Sequence, residues 1–346
     1  MDSMIHNSVN RHNNFDFIRL ILATLVIVSH SYPLTGQDEI LSVVTNGQIT
    51  FGSLAVHCFF ILSGYFIFLS LKRSKSLKDY FWKRLLRLYP ALIVLLIFTF
   101  FLIPFLYVGN HLTSTLKTYP EYFLGGISLY NVQFFISGVF ENNPYRKTIN
   151  GSLWSLSYEF TLYVITSFFF LIKKSRTVYI IMACLVGLCI LLSLYKTDFL
   201  KSYFSVILLE TNNLYKLAAY FLAGSFLTCI DLQKINNHIL RSVLLMILLA
   251  SLFFNIYPFV APIALPLFIL LLGISATNYI STWGENVGDI SYGVYIYGFL
   301  VQQVFMNYFN LQPFVLTIFS IPVTYLLAYG SWHLVEKKML KYKNLF

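Results

Sequence analysis

The chain contains 346 residues, of which 58% are hydrophobic and only 11% are charged, and its formal net charge is +10. Because soluble globular proteins carry about 25% charged residues, this composition excludes a soluble, disordered or fibrous protein. The positive charge does not indicate nucleic-acid binding, since the basic residues lie between apolar stretches and are not gathered on a soluble face. We therefore expect no nucleic-acid partner.

Apolar segments long enough to cross a bilayer, about 17 to 25 residues each, occur ten times along the chain. They lie near residues 17–34, 50–71, 89–108, 152–172, 177–195, 213–230, 239–256, 258–277, 288–308 and 313–335. The last four fall in two long runs without Asp, Glu, Lys or Arg, one of 43 residues and one of 46. The sequence predicts an all-α integral membrane protein, a polytopic bundle of about ten transmembrane helices.

The distribution of Lys and Arg predicts which side of the membrane each connection faces, because basic residues next to spans stay in the cytoplasm. With ten spans and the N-terminus inside, the inner segments hold 18 of the 24 Lys and Arg residues, including Arg11. The charged residues of the first outer loop are the acids Asp38 and Glu39. Both the N and C termini are therefore predicted to be cytoplasmic.

Two of the predicted connections are more than turns. Residues 76–88 mix aromatic and leucine side chains with basic ones, a pattern typical of an amphipathic helix on the inner leaflet. Residues 109–151, on the outer side, have an apolar middle that is interrupted by polar residues such as Glu121 and Asn131. This second pattern fits a segment that lies on the membrane and equally one that re-enters it.

Ionisable side chains inside apolar spans are costly to bury in lipid, which makes them candidates for function. Arg19 and His30 are eleven positions apart in the first span, so they share one helical face and are separated by a rise of about 16 Å. This face would join an anion-binding arginine at the cytoplasmic end to a possible general base near the outer end. The alternative interpretation is an arginine that snorkels to the interface and an interfacial histidine.

Glu159 is the one acid that falls within the outer half of a predicted span. A carboxylate beside a histidine orients a general base and stabilises its charged form, so Glu159 is a candidate partner of His30. The alternative is structural, because Ser155 lies four residues earlier on the same helical face. A local hydroxyl or a cationic neighbour would then satisfy the carboxylate.

Arg84 and Arg87 are three residues apart in the predicted interfacial helix. They could hold phosphate groups through charge-assisted hydrogen bonds, or they could contact anionic lipid headgroups. No phosphate-binding glycine loop, metal-binding motif or nucleophile elbow accompanies them, so nucleotide hydrolysis, metal catalysis and a covalent serine mechanism have no support.

Five short segments stand in a characteristic order along the chain. They are residues 15–19 (FDFIR) followed by His30 after ten intervening residues, 59–65 (FFILSGY), 84–90 (RLLRLYP), 153–159 (LWSLSYE) and 290–295 (ISYGVY). Together they resemble the motifs of membrane acyltransferase family 3, and the EKK at residues 336–338 also fits. The resemblance covers nearly the whole chain.

The resemblance implies a multi-pass enzyme of the bacterial cytoplasmic (inner) membrane that O-acylates, usually O-acetylates, sugars of glycans such as O-antigen or exopolysaccharide. The donor would be acetyl-CoA, a co-substrate, and the acceptor a glycan or lipid-linked saccharide. Membrane lipid is the other expected partner. No tightly bound cofactor and no metal is expected. The resemblance also implies that His30 and Glu159 are catalytic and that Arg19, Arg84 and Arg87 bind acyl-CoA.

One position departs from the family pattern. Many members have a histidine where this chain has Gly298, so any role of that histidine would be absent or displaced. Longer members also append a hydrolase-like domain, whereas residues 1–346 are expected to form a single membrane-embedded acyltransferase domain with no appended soluble domain.

Two other functions fit a bundle with buried ionisable residues. A transporter or flippase of lipid-linked sugars would have similar spans, although we find no internal repeat. A membrane glycan polymerase would use a lipid-linked donor and need no acyl-CoA. The sequence does not indicate an oligomeric state.

Overall fold

The computed structural model describes residues 13–109 and 112–345. Within them the chain is helical, and two isolated β-bridges join Tyr107 to Val139 and Phe135 to Thr148. Helices of 14 or more residues are numbered in chain order. They are α1 (Phe15–Leu34), α2 (Phe51–Arg73), α3 (Leu77–Leu106), α4 (Leu112–Ser128), α5 (Trp154–Ser167), α6 (Thr177–Tyr195), α7 (Thr211–Phe226), α8 (His238–Phe253), α9 (Tyr257–Ile274), α10 (Ser291–Tyr308) and α11 (Pro313–Ser331).

Short helical pieces extend or connect these helices. The α-helical pieces are Ile40–Val44, Lys201–Ser205, Leu232–Ile235, Trp283–Asn286 and Lys337–Met339. The 3₁₀ turns are Gly151–Leu153, Phe168–Ile172, Leu227–Cys229 and Leu340–Tyr342, and Trp332–Glu336 is a π-helical turn.

Each of the ten predicted spans coincides with one of the numbered helices, and α4 is an additional helix. Seven helical segments, those that contain α1, α2, α3, α5, α6, α9 and α11, are long and apolar enough to cross a membrane. The helices α7 and α8 have 16 residues each, and α10 carries two adjacent glutamines. The all-α prediction is confirmed for the described residues, and the protein has the architecture of a multi-pass membrane protein.

The two glutamines of α10 are completely buried. Gln302 Nε2 donates to Ser31 Oγ at 2.7 Å, and Gln303 Nε2 donates to the carbonyl oxygen of Thr148, also at 2.7 Å. Because these amides find partners inside the protein, α10 can lie within the bundle in spite of its lower hydropathy.

The prediction of a separate interfacial helix at residues 76–88 is wrong. These residues are the first part of α3, which continues through Pro90 for a total of 30 residues. Their arginines point into the protein, where Arg87 Nη2 lies 2.6 Å from the Asp289 carboxylate and Arg84 lines an internal cavity. Protein groups are therefore the partners of these two arginines in the structure.

The helices α1 and α2 are antiparallel and pack against each other. The ring of Phe15, at the start of α1, packs against Phe66 near the end of α2, whereas Ser29 contacts Gly52 at the start of α2. We call the end of the bundle with Arg19 the basic end, because residues 83–87 of α3 also lie there. The end with Ser29 and Gly52 is the far end.

The C-terminal segment returns to the basic end, where Trp82 Nε1 donates to the carbonyl oxygen of Tyr342 at 2.8 Å. Residue 13, the first described residue, precedes α1 at the same end. Residues 1–12, including the Arg11 used in the charge count, lie outside the described residues.

Glycines allow α2 and α7 to cross at very short distance. A Cβ on Gly64 would lie 1.9 Å from the carbonyl oxygen of Phe221, and one on Gly224 would lie 2.1 Å from that of Ile61. Ser225 Oγ, on α7, donates to the Gly64 carbonyl at 2.9 Å. Small residues of this kind are what bring membrane helices into close contact.

The segment after α4 packs against the helix bundle through two buried asparagines. Asn143 Nδ2 donates to Gln303 Oε1 at 2.8 Å, and Asn150 Nδ2 donates to the carbonyl oxygen of Ile296, in the first half of α10, at 2.7 Å. Both asparagines are buried. This segment therefore ends inside the bundle, and α5 begins there.

Candidate active site

A cavity of about 350 Å³ lies at the basic end, between α1, α2, α3, α5, the start of α10 and the C-terminal segment. Its charged lining residues are the cations Arg19, Lys83, Arg84, Arg87 and Lys343 and the carboxylates Glu159 and Asp289. Hydroxyl groups come from Ser63, Ser155, Tyr163, Ser291, Tyr292 and Tyr295. Five cations against two carboxylates make this cavity suited to an anionic ligand.

The cavity is elongated along α2 and changes in character from one end to the other. Lys83 and Lys343 lie at its mouth, whereas aromatic and aliphatic residues such as Phe59 form the wall towards its inner end at Val56. From Ile67 to Val56 the lining covers eleven positions of α2, or about 16 Å. A ligand with an anionic head and a long neutral arm would match this division.

An ion-pair network ties together three elements at the mouth. Asp289, just before α10, lies 2.6 Å from Arg87 Nη2 and 3.8 Å from Arg19 Nη1, and it accepts a hydrogen bond from Ser291 Oγ at 2.6 Å. Arg19 also pairs with Asp16 at 2.9 Å. Two guanidinium groups thus face the Asp289 carboxylate, and their positive charges favour its ionised form.

Arg84 is bound differently from the other two arginines. Its Nη2 donates to Ser70 Oγ at 3.0 Å and its guanidinium lies over the Tyr80 ring, 5.6 Å from the ring centre. Its Nε is buried and has no hydrogen-bond partner in the described part of the chain. Arg84 therefore keeps donor capacity for a ligand in the cavity.

Glu159 lies in the same cavity, and its carboxylate is held by two hydroxyl groups. Oε1 accepts hydrogen bonds from Ser63 Oγ at 2.7 Å and from Tyr163 OH at 2.5 Å. Ser155, which the sequence offered as a local partner, instead bonds to Tyr295 OH at 2.6 Å. A local hydroxyl does satisfy Glu159, but it comes from the tyrosine four residues later.

His30 lies beyond the inner end of the cavity and is not among its lining residues. Its ring packs edge-on against Phe299 at 5.1 Å, and its Nδ1 is buried without a hydrogen-bond partner among the described residues. Val56, at the inner end, is four residues along α2 from Gly52, which contacts Ser29. The cavity thus stops about 6 Å short of the level of Ser29, the neighbour of His30, along the helix axis.

The structure therefore brings Arg19, Arg84, Arg87 and Glu159 together in one cavity and places His30 separately. The hydrogen bonds of Glu159 go to the hydroxyls in the cavity, so the direct His30–Glu159 pair expected from the sequence is not formed in this structure.

Comparison with known proteins identifies the family of the chain. A family model described as an acyltransferase domain matches residues 12–333. The chain belongs to this acyltransferase family. It is similar to an O-acetyl transferase of Shigella phage Sf6, with 31% identity over 96% of this chain and 97% of that protein. It is also similar to nodulation protein 10 of Rhizobium leguminosarum bv. viciae, with 31% identity over 46% of this chain and 44% of that protein. No solved structure matches the chain.

The structure gives a physical reason for the glycine at position 298 of this acyltransferase. A Cβ at Gly298 would lie 2.8 Å from Cγ1 of Ile27, on α1. Because Cγ1 belongs to a branched side chain in the core, a histidine here would push α1 away from α10. The histidine expected at this position from the family resemblance therefore does not fit this packing.

Several residues that line the cavity of this acyltransferase were not assigned a role from the sequence. Asp289 lies between the two long uncharged runs, and this position is a signal that could have singled it out. Lys343 gives no comparable signal, because the basic residues of the C-terminal segment look like ordinary cytoplasmic charges.

Proposed function

We propose that this acyltransferase is a membrane O-acetyltransferase that transfers an acetyl group from cytoplasmic acyl-CoA to a hydroxyl of a cell-surface glycan. The bacterial inner membrane is the proposed location, and O-antigen or exopolysaccharide, free or lipid-linked, is the proposed class of acceptor. The O-acetyl transferase of Shigella phage Sf6, which is similar over almost the full chain, supports O-acetylation.

The observation that carries the proposal is the two-part cavity. Acyl-CoA has a phosphate-bearing nucleotide head and a long neutral arm that ends in the thioester. The arginines and lysines at the mouth suit the phosphates, and the apolar wall of α2 suits the arm. Arg84, with its unsatisfied buried Nε, and the paired Arg19 and Arg87 are the proposed donor-binding residues.

The position of His30 fits a general base that acts from the acceptor side. A base lies about 3 Å from the hydroxyl whose proton it takes, and that oxygen lies about 3 Å from the carbonyl carbon it attacks. The axial gap of about 6 Å between the inner end of the cavity and the level of Ser29, the residue before His30, leaves space for the acceptor hydroxyl between the thioester and His30. His30 would accept the proton as the new C–O bond forms and the thioester C–S bond breaks, and the proton would then pass to the departing thiolate.

Glu159 is proposed to assist this reaction from the donor side. Its carboxylate orients the hydroxyls of Ser63 and Tyr163 in the cavity wall. This role, which positions hydroxyl groups beside the donor arm, requires no contact between Glu159 and His30.

The proposal is tested in cells that lack the protein and are complemented with the wild type, His30→Ala or His238→Ala. Mass spectrometry and proton NMR of the surface polysaccharide should show O-acetyl groups with the wild type and with His238→Ala, whose histidine is exposed on α8. The His30→Ala variant should accumulate to the same level without acetylation.

Two outcomes would contradict the proposal. Wild-type acetylation in His30→Ala cells would exclude His30 as the base. Unchanged acetylation in cells that lack the protein, together with polysaccharide that fails to reach the surface or changes length, would favour a flippase or a polymerase.

A further inference from the structure

The C-terminal segment after α11 forms part of the cavity mouth. Leu340 and Lys343 line the cavity and are three residues apart, at the start and just past the end of the 3₁₀ turn Leu340–Tyr342. Leu340 packs against the hydrophobic core, and the amide of Lys343 donates to the Leu340 carbonyl at 3.3 Å. The lysine is thus carried by an ordered turn.

A hydrogen bond ties this turn to the opposite wall of the mouth. Trp82 Nε1, on α3, donates to the Tyr342 carbonyl at 2.8 Å. Trp82 directly precedes Lys83 and Arg84, so the bond sets the C-terminal turn beside the two cations that follow it. Lys343 therefore faces the same space as the proposed phosphate-binding arginine.

The cationic side chains at the cavity mouth differ in whether a carboxylate of the protein already pairs with them. Lys83 pairs with Asp79 at 2.7 Å, and Arg87 and Arg19 pair with Asp289. Lys343 forms no ion pair within the described residues. Its positive charge is therefore available to an anionic ligand without the cost of breaking an ion pair.

We propose that Lys343 binds a phosphate group of the acyl donor and that the C-terminal turn is a donor-specificity element. This inference rests on the proposed use of acyl-CoA and deepens it. Lys343 is exposed, so its charge acts through water and its contribution is moderate. It should raise donor affinity without changing the chemical step, because it lies at the opposite end of the cavity from His30.

The test compares two charge reversals in the purified full-length protein. Lys343→Glu is matched by Lys341→Glu, which makes the same change in net charge two residues away at an exposed position that does not line the cavity. The donors are acetyl-CoA and S-acetylpantetheine, which has the same arm and thioester but lacks the nucleotide phosphates. KM and kcat are measured for both donors at two salt concentrations.

We expect Lys343→Glu to raise the KM for acetyl-CoA about tenfold with kcat unchanged, because it replaces an attraction with a repulsion. The effect should shrink at high salt, and the KM for S-acetylpantetheine should not change. Lys341→Glu should change the KM for acetyl-CoA less than twofold. Trp82→Phe, which removes the hydrogen bond to the turn, should raise the same KM by about threefold.

Equal KM values for acetyl-CoA in the two charge-reversal variants would overturn the role of Lys343. A KM raised equally for both donors would also overturn it, since the turn would then act on the fold and not on the phosphates. Failure of the wild type to use acetyl-CoA at all would instead contradict the proposed function, so the two failures are distinguishable.

Discussion

Asp289 is the residue that organises the cavity mouth, because its single carboxylate joins α1, α3 and the start of α10. It contacts Arg87 at 2.6 Å and Arg19 at 3.8 Å. Without it, two guanidinium groups would face each other across the mouth. An acid in a site for an anionic ligand is unfavourable by charge alone, so its place here indicates that it positions the arginines.

A substitution of Asp289 distinguishes a positioning role from a purely electrostatic one, because the two roles predict opposite changes in the affinity for the donor. Removing a negative charge by Asp289→Asn should strengthen the binding of an anionic donor if charge alone matters. Because Arg87 and Arg19 would lose the carboxylate that holds their guanidinium groups in place, we expect the opposite, a rise of about tenfold in the KM for acetyl-CoA. Initial-rate kinetics of the protein in detergent or nanodiscs measure this KM.

The control is Asp16→Asn. Asp16 bonds to Arg19 but not to Arg87, and its side chain is 41% exposed, so we expect a change of less than twofold. A lower KM in Asp289→Asn would show that Asp289 weakens donor binding and does not position the arginines.

At the scale of single residues, the sequence identified which side chains are ionisable within spans but not how they pair. Arg19, Arg84, Arg87 and Glu159 do share one cavity. Helical periodicity relates residues within a span, and it correctly placed Arg19 and His30 on the same helix. The partners of Glu159, by contrast, include Ser63 on another helix, and no spacing along the chain encodes a contact of that kind.

At the scale of helices, the crossing of α2 and α7 determines the shape of the cavity, because α2 forms its longest wall. Gly64 lies in the same turn as Ser63, which holds Glu159. The close approach at Gly64 therefore fixes the depth of the serine hydroxyl in the bundle. Gly64, which the helix crossing requires, is thus adjacent to Ser63, which holds the Glu159 carboxylate.

We predict that Gly64→Ala is strongly destabilising. The new Cβ would lie 1.9 Å from a backbone oxygen of α7, so the helices must separate, which should cost about 2 kcal/mol or more. The matched control is Gly187→Ala in α6, where a Cβ would meet nothing within 4 Å. Membrane protein levels and the apparent Tm in detergent are the measurements. Normal accumulation and Tm of Gly64→Ala would show that α2 and α7 are not held this closely.

Hydropathy located the helices well because burial in lipid imposes a minimum apolar length on each span. It failed at residues 76–88, where an amphipathic pattern indicated a surface helix. The same pattern arises when the polar face of a continuous helix lines a charged cavity, as it does in α3. The packing of the segment after α4 also could not be predicted, since Asn143 and Asn150 bond to α10 far along the chain.

At the scale of the whole molecule, the position of the cavity and the predicted orientation support each other. The basic end, where the cavity mouth lies, is the end that the Lys and Arg distribution assigns to the cytoplasm. His30 lies towards the far end, which would face the outside and receive the glycan. Donor and acceptor would thus approach from opposite sides and meet within the bundle.

This orientation predicts the labelling of single cysteines in a background whose four native cysteines are replaced by serine. Lys341→Cys, at the basic end, should react with a membrane-impermeant thiol reagent only after the cells are permeabilised. Asp38→Cys, on the exposed connection at the far end, should react in intact cells. The reverse pattern would place the mouth outside the cell, where cytoplasmic acyl-CoA cannot reach it, and the donor would then have to be a different anionic molecule.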